Sequence, residues 1–251
     1  MKKIVISATL AGLLLSSANA EMLGLEAGAS FWSPQATGFA KYKGDEINLE
    51  SDLGYGGQET ATVVWGSFVH FIPLIPNIKV QRTMFTMNAS ALMSKDIKFA
   101  GKTYNINAVT DSEIDLTQTD FILYYQFLNL ISLGTLGLDL GINVKYLEGN
   151  MQLSNKFIDE NTDISVPLPM LYAKGKFNLP FTGFSLQGEL SYIGYGDHEA
   201  YDAKASAIYE TKIGFGAEIG YRAEKLKIDD LDDFSSDIDI QGAYASVFYH
   251  F

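Results

Sequence analysis

The 251-residue sequence has no cysteine, so neither a disulfide framework nor thiolate chemistry is open to it. Bases are scarce: 18 Lys and Arg stand against 30 Asp and Glu, a formal net charge of −12. That balance argues against a nucleic-acid partner, whose phosphates need Lys and Arg. Only three histidines and six prolines occur, and the Gly-x-Ser-x-Gly elbow of many hydrolases is missing. Beyond the first 20 residues no apolar run approaches the ~20 residues of a membrane-crossing helix. If the chain crosses a membrane, it does so with strands.

Residues 1–20 read as a secretory leader. Lys2 and Lys3 precede an apolar run from Ile4 to Leu15, and Ser16-Ser17-Ala18-Asn19-Ala20 supplies an Ala-x-Ala cleavage site. The expected mature chain begins at Glu21 and forms one domain over 21–251. It carries 16 basic and 30 acidic residues, a charge of −14.

What the chain does have is strict alternation. Leu136, Leu138, Leu140, Ile142, Val144 and Tyr146 alternate with Gly137, Asp139, Gly141, Asn143 and Lys145. Ile213, Phe215, Ala217, Ile219 and Tyr221 do the same, and counting back by twos from Phe251 gives Tyr249, Val247, Ala245 and Ala243. Because successive strand side chains point to opposite faces, each stretch has one apolar face and one small or polar face. Short connections, 72–77, 129–135 and 179–183, are interleaved with longer acidic ones at about 33–58, 95–112, 151–161, 197–201 and 229–236. Short turns at one end and long loops at the other are the rhythm of a transmembrane barrel. The expectation is all-β: an antiparallel up-and-down β-barrel of ten strands, near 22–32, 59–70, 78–93, 113–127, 136–149, 163–178, 184–196, 202–211, 213–227 and 237–251. The segment 202–211 alternates weakly, so eight strands remain an alternative. Arg82 shares parity with Ile78, Val80 and Met84, and is expected either to snorkel from the outer face near the short-turn rim or to mark a register shift. Pro167 and Pro169 fall inside a strand and predict a local bulge, or a bend shaping the mouth.

The run Trp65 to Ile78, Thr119-Asp120-Phe121-Ile122-Leu123-Tyr124-Tyr125, Pro169 to Lys174, Leu179-Pro180-Phe181-Thr182-Gly183, Gly220-Tyr221-Arg222 and the terminal Phe248-Tyr249-His250-Phe251 resemble a family of small proteobacterial outer-membrane β-barrel proteins. The resemblance spans most of the chain and implies a barrel in the cell outer membrane, with no assigned reaction or ligand. Arg82 departs from the family pattern, which has an aromatic there.

Candidate chemistry is thin. His70 and His250 fall at strand ends, where an amphipathic ring suits an interface. His198 lies in Gly196-Asp197-His198-Glu199, whose adjacent side chains cannot all converge on one ion. Asp229, Asp230, Asp232 and Asp233 form the densest acidic stretch, a weak divalent-cation candidate lacking the glycine and distal Glu of an EF-hand. Inward parity collects Glu26, Asp120, Asp139, Lys145, Lys174, Lys176, Glu189, Lys204, Glu210, Glu218, Arg222 and Glu224, both signs interleaved, which predicts ion-pair networks filling a narrow lumen. Tyr249 and Phe251 are the expected signal for barrel insertion.

The function expected first is a non-enzymatic envelope scaffold with acidic outer loops and no cofactor. A narrow solute channel is second and a lipid-modifying enzyme third. Expected partners are outer-membrane lipid and lipopolysaccharide, periplasmic chaperones and the insertion machinery, with no nucleic acid.

Overall fold

The computed structural model describes residues 23–70, 72, 74–127, 135–156, 158–231 and 233–251. The expected leader 1–20, Glu21, Asp232 and most of the turn 129–135 lie outside them. The described chain forms β1 (Leu23–Tyr42), β2 (Glu46–Asn48), β3 (Ala61–His70), β4 (Asn77–Leu92), β5 (Ile97–Phe99), β6 (Lys102–Tyr104), β7 (Val109–Gln126), β8 (Leu136–Ser154), β9 (Asp159–Asn178), β10 (Phe184–Tyr195), β11 (His198–Glu210), β12 (Phe215–Leu231) and β13 (Phe234–His250). Ten of these, β1, β3, β4 and β7 to β13, are staves that each pair antiparallel with the next. β13 closes on β1 from Glu26↔His250 to Tyr42↔Phe234. The segment with weak alternation is a full stave, since β11 pairs along its length with both β10 and β12. Ten strands are present, not eight.

The period-two pattern places each side chain. Outward-facing Phe31, Leu171 and Ile219 are 70%, 71% and 67% exposed, while inward Trp32, Tyr172 and Arg222 are 1–2% exposed. A water-soluble sheet protein would put its apolar face inside. Here a continuous apolar band faces out over most of the circumference.

At the closing seam, glycine makes room for aromatics. A Cβ on Gly216 would lie 2.1 Å from the Phe248 ring, and one on Gly28 would lie 2.8 Å from the Trp65 indole. Phe248 and Trp65 therefore lie across the backbones of β12 and β1 with ring centroids 6.0 Å apart. The inward aromatics cover the glycine backbone from inside.

Several expected loops are strand. β1 runs ten residues past its expected end, and 151–161, 197–201 and 229–236 consist largely of paired stave ends joined by tight turns. Alternation fades there because polar residues occupy both faces, yet the backbone ladder continues. The acidic stretch is one such turn: Asp230 and Asp233 have φ of 46° and 66°, and the β12–β13 register shifts between Ile228 and Leu231. Arg82 shows no register shift. It faces out beside Thr119, whose Oγ1 accepts its hydrogen bond at 3.5 Å. That is the row where the outer face of β7 turns from Phe121 to Thr119 and Thr117, so Arg82 marks the long-loop border of the apolar band and not the short-turn rim. Pro167 and Pro169 make no bulge against β8, whose register with β9 is unbroken.

The two true loops, 43–60 and 93–108, fold back into the barrel. Ile47, Leu49 and Leu53 of the first, with Met93, Ile97, Phe99 and Tyr104 of the second, pack on Trp32, Phe85, Met87 and Leu153. This cap is an ordinary apolar core built inside the long-loop half of the barrel. Burial pushes the Tyr55 and Tyr104 phenols up to about 12 from the usual 10.0. Unfolded phenols release protons first, so their contribution to cap stability is intact below about pH 10 and is lost as pH rises toward about 12. Tryptophan emission in a Trp65→Phe background, which reports Trp32 in the cap, is expected to shift to the red across that interval. The shift should shrink in a Tyr55→Phe/Tyr104→Phe variant; an identical shift in both would contradict the assignment.

Candidate functional site in the barrel lumen

Below the cap the inward faces of five staves converge. β7 brings Gln118 and Asp120, β8 brings Asn143 and Lys145, β11 brings Asp202, β12 brings Arg222 and Glu224, and β4 brings Gln81 and Thr83. Lys145 Nζ donates to Gln118 Oε1 and Asp202 Oδ2 at 3.0 Å and to Glu224 Oε1 at 3.2 Å, and lies 3.2 Å from Asp120 Oδ1. The Arg222 guanidinium forks onto Asp202 at 3.0 and 2.8 Å and reaches Glu224 Oε1 at 2.6 Å and Thr83 Oγ1 at 3.0 Å. Its plane lies over Trp32, 4.6 Å from the ring centroid, where a cation is drawn to the π-face. Gln118 Nε2 donates to Glu224 at 2.8 Å and Asn143 Nδ2 to Asp120 at 2.7 Å. Every charged member is at most 6% exposed. Buried charges of this kind stand only when paired and hydrogen-bonded, and a fork onto carboxylate is the geometry guanidinium favours.

A second tier lies toward the short turns. Glu189 accepts from Lys79 at 2.9 Å and faces Lys204 at 3.6 Å, Lys204 donates to Gln81 at 2.7 Å, and Lys174 pairs with Asp139 at 2.6 Å. Together the tiers hold five bases, Lys79, Lys145, Lys174, Lys204 and Arg222, and five acids, Asp120, Asp139, Asp202, Glu189 and Glu224. Beyond them a cavity of about 1220 Å³ opens at the short-turn end, with Glu26, Lys176, Glu210 and Glu218 on its walls. Glu218 accepts a hydrogen bond from Tyr244 at 2.5 Å, whereas the Glu26 carboxylate lies in the field of Lys176, Lys174, His250 and Lys79.

All the expected lumen charges face inward. Parity also pointed to Lys79 and Asp202, the first beside the puzzling Arg82 and the second at the uncertain start of β11, and neither was singled out. The cap was missed because its apolar residues are spread through two polar loops. The histidines do not meet. His70 braces its turn through Pro76 O at 3.2 Å, His250 approaches Glu210 at 3.4 Å, and His198 accepts from Asp229 N at 3.2 Å. Of the aspartates of 229–233, Asp232 lies outside the described residues; among the described residues no three His, Cys, Asp or Glu are placed to hold a metal ion.

No protein-family model matches the sequence, and no curated protein does. Solved structures of similar outline include the outer membrane protease OmpT from Escherichia coli, at a TM-score of 0.49 and 12% identity, covering 91% of this chain and 97% of that one. The translocator domain of the autotransporter NalP from Neisseria meningitidis gives 0.45 and 12%, covering 93% and 90%. Ail, the attachment invasion locus protein of Yersinia pestis, gives 0.39 and 9%, covering 90% and 98%. No residue role is transferred from these likenesses.

Replacing Glu189 with Gln leaves Lys79 and Lys204 facing each other without their anion. It is expected to lower stability by about 3–5 kcal/mol, the cost of breaking a buried pair from one side. Glu26→Gln removes a carboxylate that is attracted by Lys174 and Lys176 but bonded to neither, and is expected to cost clearly less than Glu189→Gln. Urea unfolding of the protein in lipid vesicles measures both, and equal costs would contradict the network.

Proposed function

We propose that the protein is an integral outer-membrane barrel that does not conduct: a non-enzymatic envelope protein presenting a capped, acidic surface outside the cell. The observation that carries this reading is the double closure of the lumen, by the ion network at mid-height and by the apolar cap above it. The outward apolar faces run for about the 9–11 residues a tilted strand needs to cross the hydrocarbon. On the staves from β8 round to β1 they are bordered by tyrosine and phenylalanine, among them Tyr146, Tyr192, Phe177, Phe184 and Phe215, in the manner of aromatic girdles. Beyond the band, Asp111, Glu113 and Asp115 face outward on β7. They and the cap form the surface through which a scaffold meets other molecules.

Lipid and lipopolysaccharide would contact the band. Periplasmic chaperones and the insertion machinery would handle the chain before closure, with Tyr249 and Phe251 as the recognised pair. The rings of that pair meet edge to face at 4.8 Å on the outer side of the last stave. The polar cavity at the short-turn end is a vestibule without an exit.

In planar bilayers the refolded protein is expected to be silent across physiological voltages. Its presence is verified by the shift between boiled and unboiled gel mobility and by recovery from the outer-membrane fraction. Stepwise conductance from the intact protein would replace this reading with a channel.

A further inference from the structure

The barrel wall is uneven beside β9. β9 keeps β8 as a partner along its whole length, up to Ser154↔Asp159, but pairs with β10 only from Ser185↔Asn178 to Tyr192↔Leu171. The β10–β11 hairpin ends at Tyr195↔His198, so residues 168–170 of β9 lie opposite the end of β10 without pairing, and residues 159–167 have no strand beside them on that side. The sequence supplies the cause. Asn178 N donates across to Thr135 on the β8 side, and Leu179 N donates to Phe184 on the β10 side. Alternate residues of an unbulged strand point their N–H groups the same way, so odd-numbered residues of β9 address β10. The next rung would join Gly194 to Pro169 and the following odd position is Pro167. Neither proline has an N–H to give. Both prolines leave the β8 ladder whole; on the other side Pro169 removes the rung to Gly194, and the chain turns at Gly196 before reaching Pro167.

The opening straddles the border of the apolar band. Leu171, Pro169 and Pro167 face outward beside Ile142, Val144 and Tyr146, and polar side chains begin one step on, at Ser165 and Glu148. Inside, burial changes where the partner strand is lost: Met170 is 3% exposed, whereas Val166 and Leu168 are only half-buried, as is Ile193 on β10. Backbone and apolar side chains left open at the hydrocarbon boundary need a cover. An added strand would find no donors at 167 and 169, while an acyl chain needs none and meets an apolar lining at the depth where chains end and headgroups begin.

We propose that this opening is a lateral site for one acyl chain of an outer-leaflet lipid, laid against Val166, Leu168 and Ile193. The proposal rests on the membrane reading above. The test uses refolded protein in vesicles containing phosphatidylcholine with a diazirine in its acyl chain, irradiated and mapped by peptide mass spectrometry. Label is expected on Val166, Leu168 or Ile193 as well as on outward residues such as Leu140 and Leu171. Label confined to outward residues overturns the lateral site and leaves the membrane reading standing; no label on outward residues overturns the membrane reading itself. A Val166→Trp variant fills the opening from within. Its inward label is expected to fall several-fold with outward label unchanged, and an unchanged inward yield overturns the proposal. If that variant fails to reach the heat-modifiable form, Leu168→Trp takes its place with the same two outcomes.

Discussion

The guanidinium of Arg222, clamped between Asp202 and Glu224 and laid over Trp32, is the contact on which the rest of the structure depends. It joins β12 to β11 and, through Thr83 and Gln118, reaches across the lumen to β4 and β7. Lys145 completes the crossing from β8. A closed sheet has no edge to set its register, and one residue of slip would turn every inward charge toward the apolar side. The network makes such a slip costly on five staves at once. Paired buried charges contribute little net stability against an apolar equivalent; what they supply here is a single arrangement of the staves.

The same network divides the lumen. On its short-turn side the cavity is open and lined by residues of both signs. On its long-loop side the interior is apolar, and loops 43–60 and 93–108 have folded in to fill it. Tyr104 anchors the second loop by donating to Leu153 O at 2.8 Å, and Asp52 of the first pairs with Lys95 at 3.0 Å. The result is a membrane-type exterior around a filled interior, polar at mid-height and apolar above. The interruption of the wall beside Pro167 and Pro169 lies at the upper end of the outward band.

Most of the fold was legible because period two is a local property. The staves around Leu136–Tyr146 and Ala243–Tyr249 read directly, and the inward charges followed from parity alone. What escaped depends on distance. Whether 150–154 and 159–162 form strand or loop is decided by each other, across a turn, and polar residues on both faces erase the signal. The apolar residues of the cap look like scattered exceptions until Ile47, Leu49, Ile97 and Phe99 meet around Trp32. Lys145 and Arg222 each announced an inward charge, but which carboxylates they share depends on the stagger of staves far apart in the chain. Pro167 and Pro169 were visible from the start as a disturbance. Which neighbour they fail to pair with required the direction of one N–H, that of Asn178.

A double-mutant cycle on Arg222 and Asp202 tests the central claim most directly. Arg222→Leu, Asp202→Leu and the double variant are unfolded by urea in lipid vesicles, with boiled and unboiled gel mobility reporting the folded barrel. If the pair organises the lumen, each single change strands a buried charge. The double variant is then less damaged than the two singles together, with a coupling of about 1.5–3 kcal/mol. Two single costs that simply add would show that the staves hold their register without the network, and would contradict the account.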